Sequence, residues 1–378
     1  MRVRLGDRTT HLGYCFNVLP GETVEALLEQ TKRYCAPLRE RLGWSQMGVG
    51  LWIANGAAAE LAGDESKRAQ LRAALDDESL YVYTLNGFPY GGFHAPRVKE
   101  KVFLPSWETS ERLTYTLNLA RILADLLPDD MDGGTISTLP LGPRGVDREQ
   151  VSKRLVSLVG DLKTIHEETG KHIQICFEPE PGAHFERAKD MAEFLYDVDR
   201  SGYLSICFDT CHAAVVAEQA KDAWATFADS GIGCGKIQIS SALVVHDPNN
   251  ADDLALLASY DEPRFLHQVR GGFGQEAMDI PEAVDQLDRS HPWRVHFHVP
   301  IHRDRVDRFA TTSPSIVPAL KAAIASDSPL PHLEVETYTW NVLPEADRPS
   351  NDDELIDGLV AEMRWAADVI VRLKGELS

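Results

Sequence analysis

The chain has 378 residues, 43% hydrophobic and 25% charged, and its 38 Lys+Arg against 58 Asp+Glu leave a formal net charge of −20. These fractions are those of an ordinary folded chain long enough for one large domain, and they exclude disordered and collagenous classes. An acidic chain without a basic stripe repels a phosphate backbone and an anionic bilayer, so a small-molecule substrate is expected, with no nucleic acid and no membrane insertion.

The opening MRVRLGDRTTHLGYCF meets polar residues at once and lacks the apolar core of a secretory signal. No apolar run reaches the ~18 residues a membrane helix needs, so a cytoplasmic location is expected. Cysteines at 15, 35, 176, 207, 211 and 234 lie mostly in apolar runs without CxxC spacing, which predicts buried free thiols in a reducing compartment.

Strands are predicted at residues 11–16, 47–53, 80–85, 135–139, 172–177, 204–209, 236–240 and 332–337, with an extra run at 294–299. Between them, 23–42, 110–127, 148–169 and 188–199 carry apolar residues at helical spacing, and a last helix is predicted over 352–377. Eight such repeats predict an α/β fold, a (β/α)8 TIM barrel, as a single domain over 1–378. Residues 243–300 are too long for a structureless loop and are expected to form an insertion after the seventh strand. The Gly-, Pro- and aromatic-rich connection 86–109 is expected to fold over a site.

In such a barrel the chemistry gathers where the strands end. The fifth run ends in Glu178-Pro179-Glu180, the sixth in Asp209-Thr210-Cys211-His212, the seventh passes through Gln238, the extra run carries His296 and His298, and the last ends in Glu334 and Glu336. Converging carboxylates and imidazoles suit a divalent metal, Mg or Mn by oxygen and Zn, Fe or Co once imidazole joins. Singly, each residue has a plainer reading: Glu178 or Asp209 as a helix cap, His296 or His298 as a satisfied core histidine. His11, Asn17, Asn86 and His94, at or after the first and third strands, are candidate substrate ligands beside Glu180, His212 and His296. Asn86 reads equally well as a turn residue.

The Phe208-Asp209-Thr210-Cys211-His212 strand end, with Phe177-Glu178 and Val335-Glu336-Thr337, resembles the xylose-isomerase-like barrels. That group includes sugar isomerases and epimerases and endonuclease-IV-type enzymes. The resemblance implies one metal held at Glu178, Asp209, Gln238 and Glu336. Gln238 departs from the histidine usual there, and His298 is the candidate that completes the set, with His302 in reserve. HLGYCFNVLPGE, LNGFPYGGFH, VKEKVFLPSW, ISTLPLG and LEVETYTWNVLP together resemble the EboE-type "metabolite traffic" family of bacterial ebo clusters, from His11 to about Pro344. That likeness implies a small-metabolite pathway and leaves a homo-oligomer open.

The expected chemistry is a metal-dependent isomerase or epimerase of a sugar, sugar phosphate or cyclitol, with Glu178 and Glu336 removing and returning a proton on opposite faces of the substrate. Two competitors are a non-catalytic metabolite carrier and a metal-dependent phosphoesterase. Gly231–Lys236 has the look of a phosphate loop but lacks its first glycine and the following Ser or Thr, and a strand follows it. Arg97, Lys99 and Lys101 are the basic cluster nearest the expected mouth.

Overall fold

The structure is a computed structural model, and it describes residues 1–374 and 376–377. Eight parallel strands close on themselves: β1 (Arg8–Cys15), β2 (Met47–Trp52), β3 (Leu80–Asn86), β4 (Gly133–Thr138), β5 (His172–Phe177), β6 (Leu204–Asp209), β7 (Cys234–Ile239) and β8 (His332–Val335). Leu333 of β8 pairs with Leu12 of β1, which completes the barrel. Every residue of β2, β3 and β6 is buried, as expected where helices cover one face and the barrel interior the other.

The outer helices follow the apolar periodicity. Arg148–Thr169 begins at Asp147, whose side chain accepts from two backbone N–H groups, and stops at left-handed Gly170. The stretch 24–42 is helical throughout but passes through a π turn at Thr31–Cys35. The last helix, Asp352–Arg372, is shorter than predicted, because Lys374 turns the backbone left-handed and Glu376–Leu377 then pair with the β-hairpin strand Arg2–Leu5. All six cysteines are free and buried. No described helix is long and apolar enough to cross a membrane.

Between β7 and β8 the chain builds a second sheet of six short antiparallel strands. In spatial order these are Glu276–Ala277, Val269–Arg270, Trp293–Val295, Leu243–Val245, Phe309–Thr311 and Arg305–Val306. Two of them lie beyond residue 300. The extra run at 294–299 is a ladder strand only to Val295, which pairs with Leu243, the first residue of its partner. Past that point the chain stays tethered by single bonds, His296 N–H to Gln268 O at 2.8 Å and Val299 N–H to Ser241 O at 2.9 Å. That segment carries His296 and His298 into the barrel mouth.

Candidate metal centre

Four elements deliver donors to the C-terminal end of the barrel. Glu178 follows β5 and is fixed by its own N–H to Thr138 O at 2.8 Å. Asp209 ends β6 and caps the short helix Thr210–Val215: its Oδ1 accepts from His212 N–H and Ser240 Oγ, both at 2.8 Å. The cap uses one oxygen of that carboxylate, and the other, Oδ2, is buried without a partner. Glu336 follows β8, and its Oε1 accepts from Asn17 Nδ2 at 2.7 Å and Asn86 Nδ2 at 3.1 Å.

Oxygens of Glu178, Asp209 and Glu336 lie within 4.8 Å of one another, and so do ligand atoms of Asp209, His212 and His298. A further group joins Glu180, His212 and His296, and another Cys211, His296 and His298. Each of the three histidines is held by a carbonyl oxygen at Nδ1: His212 by Pro179 O at 3.0 Å, His298 by Glu336 O at 3.0 Å, and His296 by Gln268 Oε1 at 2.6 Å. Carbonyl oxygens only accept, so Nδ1 carries the proton and Nε2 keeps its lone pair. The Nε2 atoms of His296 and His298 are buried and unpartnered.

The electrostatics of the cluster demand protons or a cation. Burial, then the Asp209 charge, pushes the Glu178 and Glu180 carboxyls well above the usual range. Burial, then Glu178, does the same to Glu336. Desolvation lowers His298 to about 4 and His212 to about 3, so both are neutral and ligand-competent at pH 7. Unpartnered Glu178 Oε2, Asp209 Oδ2 and His298 Nε2 fit a divalent ion in charge and donor chemistry.

Gln238 sits on β7 in register between Asp209 and Glu334, fully buried, with both amide atoms unpartnered. One layer deeper lies a pair that sequence reasoning missed: Lys236 Nζ is 2.7 Å from Glu334 Oε2, both side chains 0% exposed. Burial opposes the Lys236 charge, but Glu334 outweighs it and holds the ammonium protonated. The period-two spacing of Lys236 with Gln238 and of Glu334 with Glu336 was the available signal.

A small cavity opens on the donors. Its floor is Asn17, Asn86, Glu178, Glu180, His212 and Glu336, and its roof is Phe88, Pro89, Phe93, Val102 and Tyr338. Most of the roof comes from the connection after β3. Asn86 serves as a turn residue too, its Oδ1 accepting from Phe88 N–H at 3.0 Å.

Two expected substrate ligands are corrected. His11 sits toward the other end of β1, its Nδ1 3.0 Å from Tyr81 Oη and its ring stacked on Tyr83, too deep in the barrel to reach the cavity. His94 does not line the cavity either: its Nε2 bonds Asn17 O at 2.9 Å and tethers the roof to the residue that holds Glu336. His302 belongs to none of the donor groups found among the described residues. The basic cluster is split, because Lys99 is buried against Asp279 at 2.5 Å while Arg97 and Lys101 stay exposed. A wider depression at the N-terminal end, lined in part by His172, Gln174 and His332, lies away from all the donors.

Among solved structures the chain is similar to D-psicose 3-epimerase with D-tagatose from Clostridium cellulolyticum H10, at 14% identity, TM-score 0.52, covering 95% of this chain and 99% of that one. It is also similar to an Anabaena variabilis ATCC 29413 protein assigned as a sugar phosphate isomerase/epimerase, at 15% identity, TM-score 0.51, covering 96% and 99%. At these identities the likeness establishes the shared fold. No curated protein sequence matches the chain. The family model described as xylose isomerase-like TIM barrel matches residues 46–301, and with the closed eight-stranded barrel this places the chain in the xylose isomerase-like TIM barrel family.

Proposed function

We propose that the chain is a divalent-metal-dependent isomerase or epimerase of a sugar, sugar phosphate or cyclitol. The observation that carries this reading is the buried set Glu178, Asp209 and Glu336, with oxygens within 4.8 Å of one another, of which Glu178 and Glu336 line a small cavity. Glu178, Asp209, Glu336 and His298 would hold the ion, with Gln238 beside Asp209. When bound, it would polarise a carbonyl or hydroxyl of the substrate and make the adjacent C–H more acidic.

The chain's own residues do the rest. Glu178 and Glu336 come from β5 and β8, on different sides of the closed barrel, so one carboxylate removes the proton and the other returns it to the opposite face. Asn17 and Asn86 orient Glu336 through its Oε1. Glu180, His212 and His296 face the substrate. The apolar roof excludes water that would quench the carbanion-like intermediate. Likeness of LNGFPYGGFH and LEVETYTWNVLP to the EboE-type family supports a place in a small-metabolite pathway.

The group Glu180, His212 and His296 favours one other reading, phosphoester hydrolysis with a second ion. Elemental mass spectrometry of protein purified without chelators tests the metal. About one or more equivalents of Mn, Fe, Co or Zn are expected, and Asp209→Asn and Glu336→Gln are expected to lose them. A wild-type protein that neither carries nor takes up metal overturns the isomerase reading and leaves a carrier. Turnover of an aryl phosphate, with no exchange of substrate C–H protons in deuterated water, would favour the hydrolase.

A further inference from the structure

We infer that the cavity selects a polyhydroxylated small molecule with no anionic group, and that phosphorylated counterparts are excluded. This rests on the isomerase or epimerase reading and narrows it. The argument starts from what the wall offers. Glu178, Glu180 and Glu336 present carboxylate oxygens, His212 keeps an Nε2 lone pair, and Asn17 has a buried unpartnered Oδ1. The amides of Asn17 and Asn86 are already spent on Glu336. With the charge of the ion already offset by Glu178, Asp209 and Glu336, the acceptors that remain, on Glu180, His212 and Asn17, are satisfied by hydroxyl donors, which a phosphate dianion lacks.

Among the described residues no Lys or Arg lines the cavity, and the buried cations around it are committed elsewhere. Lys236 is paired with Glu334 at 2.7 Å, Lys99 with Asp279 at 2.5 Å, and Arg270 with Glu186 at 2.8 Å. Arg112 donates to the carbonyl oxygens of Pro105, Gly87 and Phe88. Backbone donors that cradle phosphates elsewhere are also spent: at the start of helix Thr210–Val215, Cys211 N–H goes to Ser240 Oγ and His212 N–H to Asp209 Oδ1. The roof of Phe88, Pro89, Phe93, Val102 and Tyr338 would strip water from a phosphate without replacing it. Arg97, Lys101 and Arg264 have no carboxylate partner among the described residues, but none of them lines the cavity: Arg97 and Lys101 are exposed, and Arg264 lies 5.8 Å from the Phe265 ring.

The test uses the full chain loaded with Mn²⁺ and matched probes: D-fructose against D-fructose 6-phosphate, and myo-inositol against its 1-phosphate, by calorimetry or ligand-observed NMR. At least one neutral member is expected to bind at least tenfold more tightly than its phosphate, and Arg264→Gln is expected to leave that affinity unchanged. A phosphate that binds as well as or better than its neutral partner overturns the inference alone, and loss of that binding in Arg264→Gln would locate the overlooked anion site. If no member of either pair binds, the sugar and cyclitol reading falls and the inference falls with it.

Discussion

At Gly50 on β2, a Cβ would come within 1.3 Å of Glu334 Oε1. The carboxylate cannot simply move aside, because its partner Lys236 is buried and would be left as an unpaired charge. Gly50→Ala is therefore expected to destabilise by about 3 kcal/mol or more, at the upper end for overpacking. Gly56→Ala, at a helical site with nothing within 4 Å, is expected to be neutral or stabilising by up to about 1 kcal/mol. Denaturant unfolding of the two variants separates these outcomes, and equal effects would refute the steric account. His298→Ala removes one Nε2 donor and is expected to weaken metal binding about 10- to 100-fold, a typical size for groups around a metal. Competition with a fluorescent chelator reads that change.

Among the elements, the last helix bears most directly on the site. Glu362 on Asp352–Arg372 is fully buried and accepts from Tyr14 Oη at 2.7 Å, Trp340 Nε1 at 3.0 Å, Ile301 N–H at 3.0 Å and Thr337 Oγ1 at 2.7 Å. It thus ties together β1, the connection at Ile301 between strands of the second sheet, and the residue after Glu336. Glu362→Ala leaves the donors of Tyr14, Ile301 and Thr337 without that acceptor, and Trp340 Nε1 with only Tyr14 Oη at 3.2 Å, and is expected to cost about 3 kcal/mol or more, with reduced metal retention because Glu336 loses its anchored neighbour. Chemical denaturation and elemental analysis check the two effects. The periodicity of this helix was legible in the sequence; the role of Glu362 was not, since a glutamate on a helix ordinarily faces solvent. The short ladder at Trp293–Val295 was overrun for a related reason, because alternation reports an extended chain and not whether a partner strand continues beside it.

For the molecule as a whole, stability depends on pH through buried histidines remote from the metal donors. Burial lowers His11 to about 2 and His332 to about 3, from an ordinary value of 6.5. Both stay neutral in the folded chain while the unfolded chain takes up protons below about 6.5. Their contribution is therefore complete above that pH and is lost as pH falls from 6.5 toward 3. His11→Gln should flatten the fall in stability between pH 6.5 and 5 by about one proton, about 1.4 kcal/mol per pH unit. Raised carboxylates such as Glu180 act with the opposite sign, and subtracting variant from wild type cancels them. Identical slopes in urea titrations of wild type and variant would refute this.

What the sequence determined by itself was the alternation of eight apolar runs with amphipathic helices, and with it the polar residues at each strand's end, because those signals are local and periodic. Glu178, Asp209 and Glu336 were legible since each closes an apolar run. The tertiary structure decided the rest. Closure of β8 on β1 brings Glu336 to Asn17 across more than 300 residues of chain, and the second sheet delivers His296 and His298 to a mouth formed by other elements. His11 and His94 were misplaced in the sequence reading because a residue's depth along a strand, and which side of a loop faces inward, are set by packing against distant partners. The Lys236–Glu334 pair was hidden for the same reason: its two charges lie far apart in sequence and meet only when β7 and β8 pair in register.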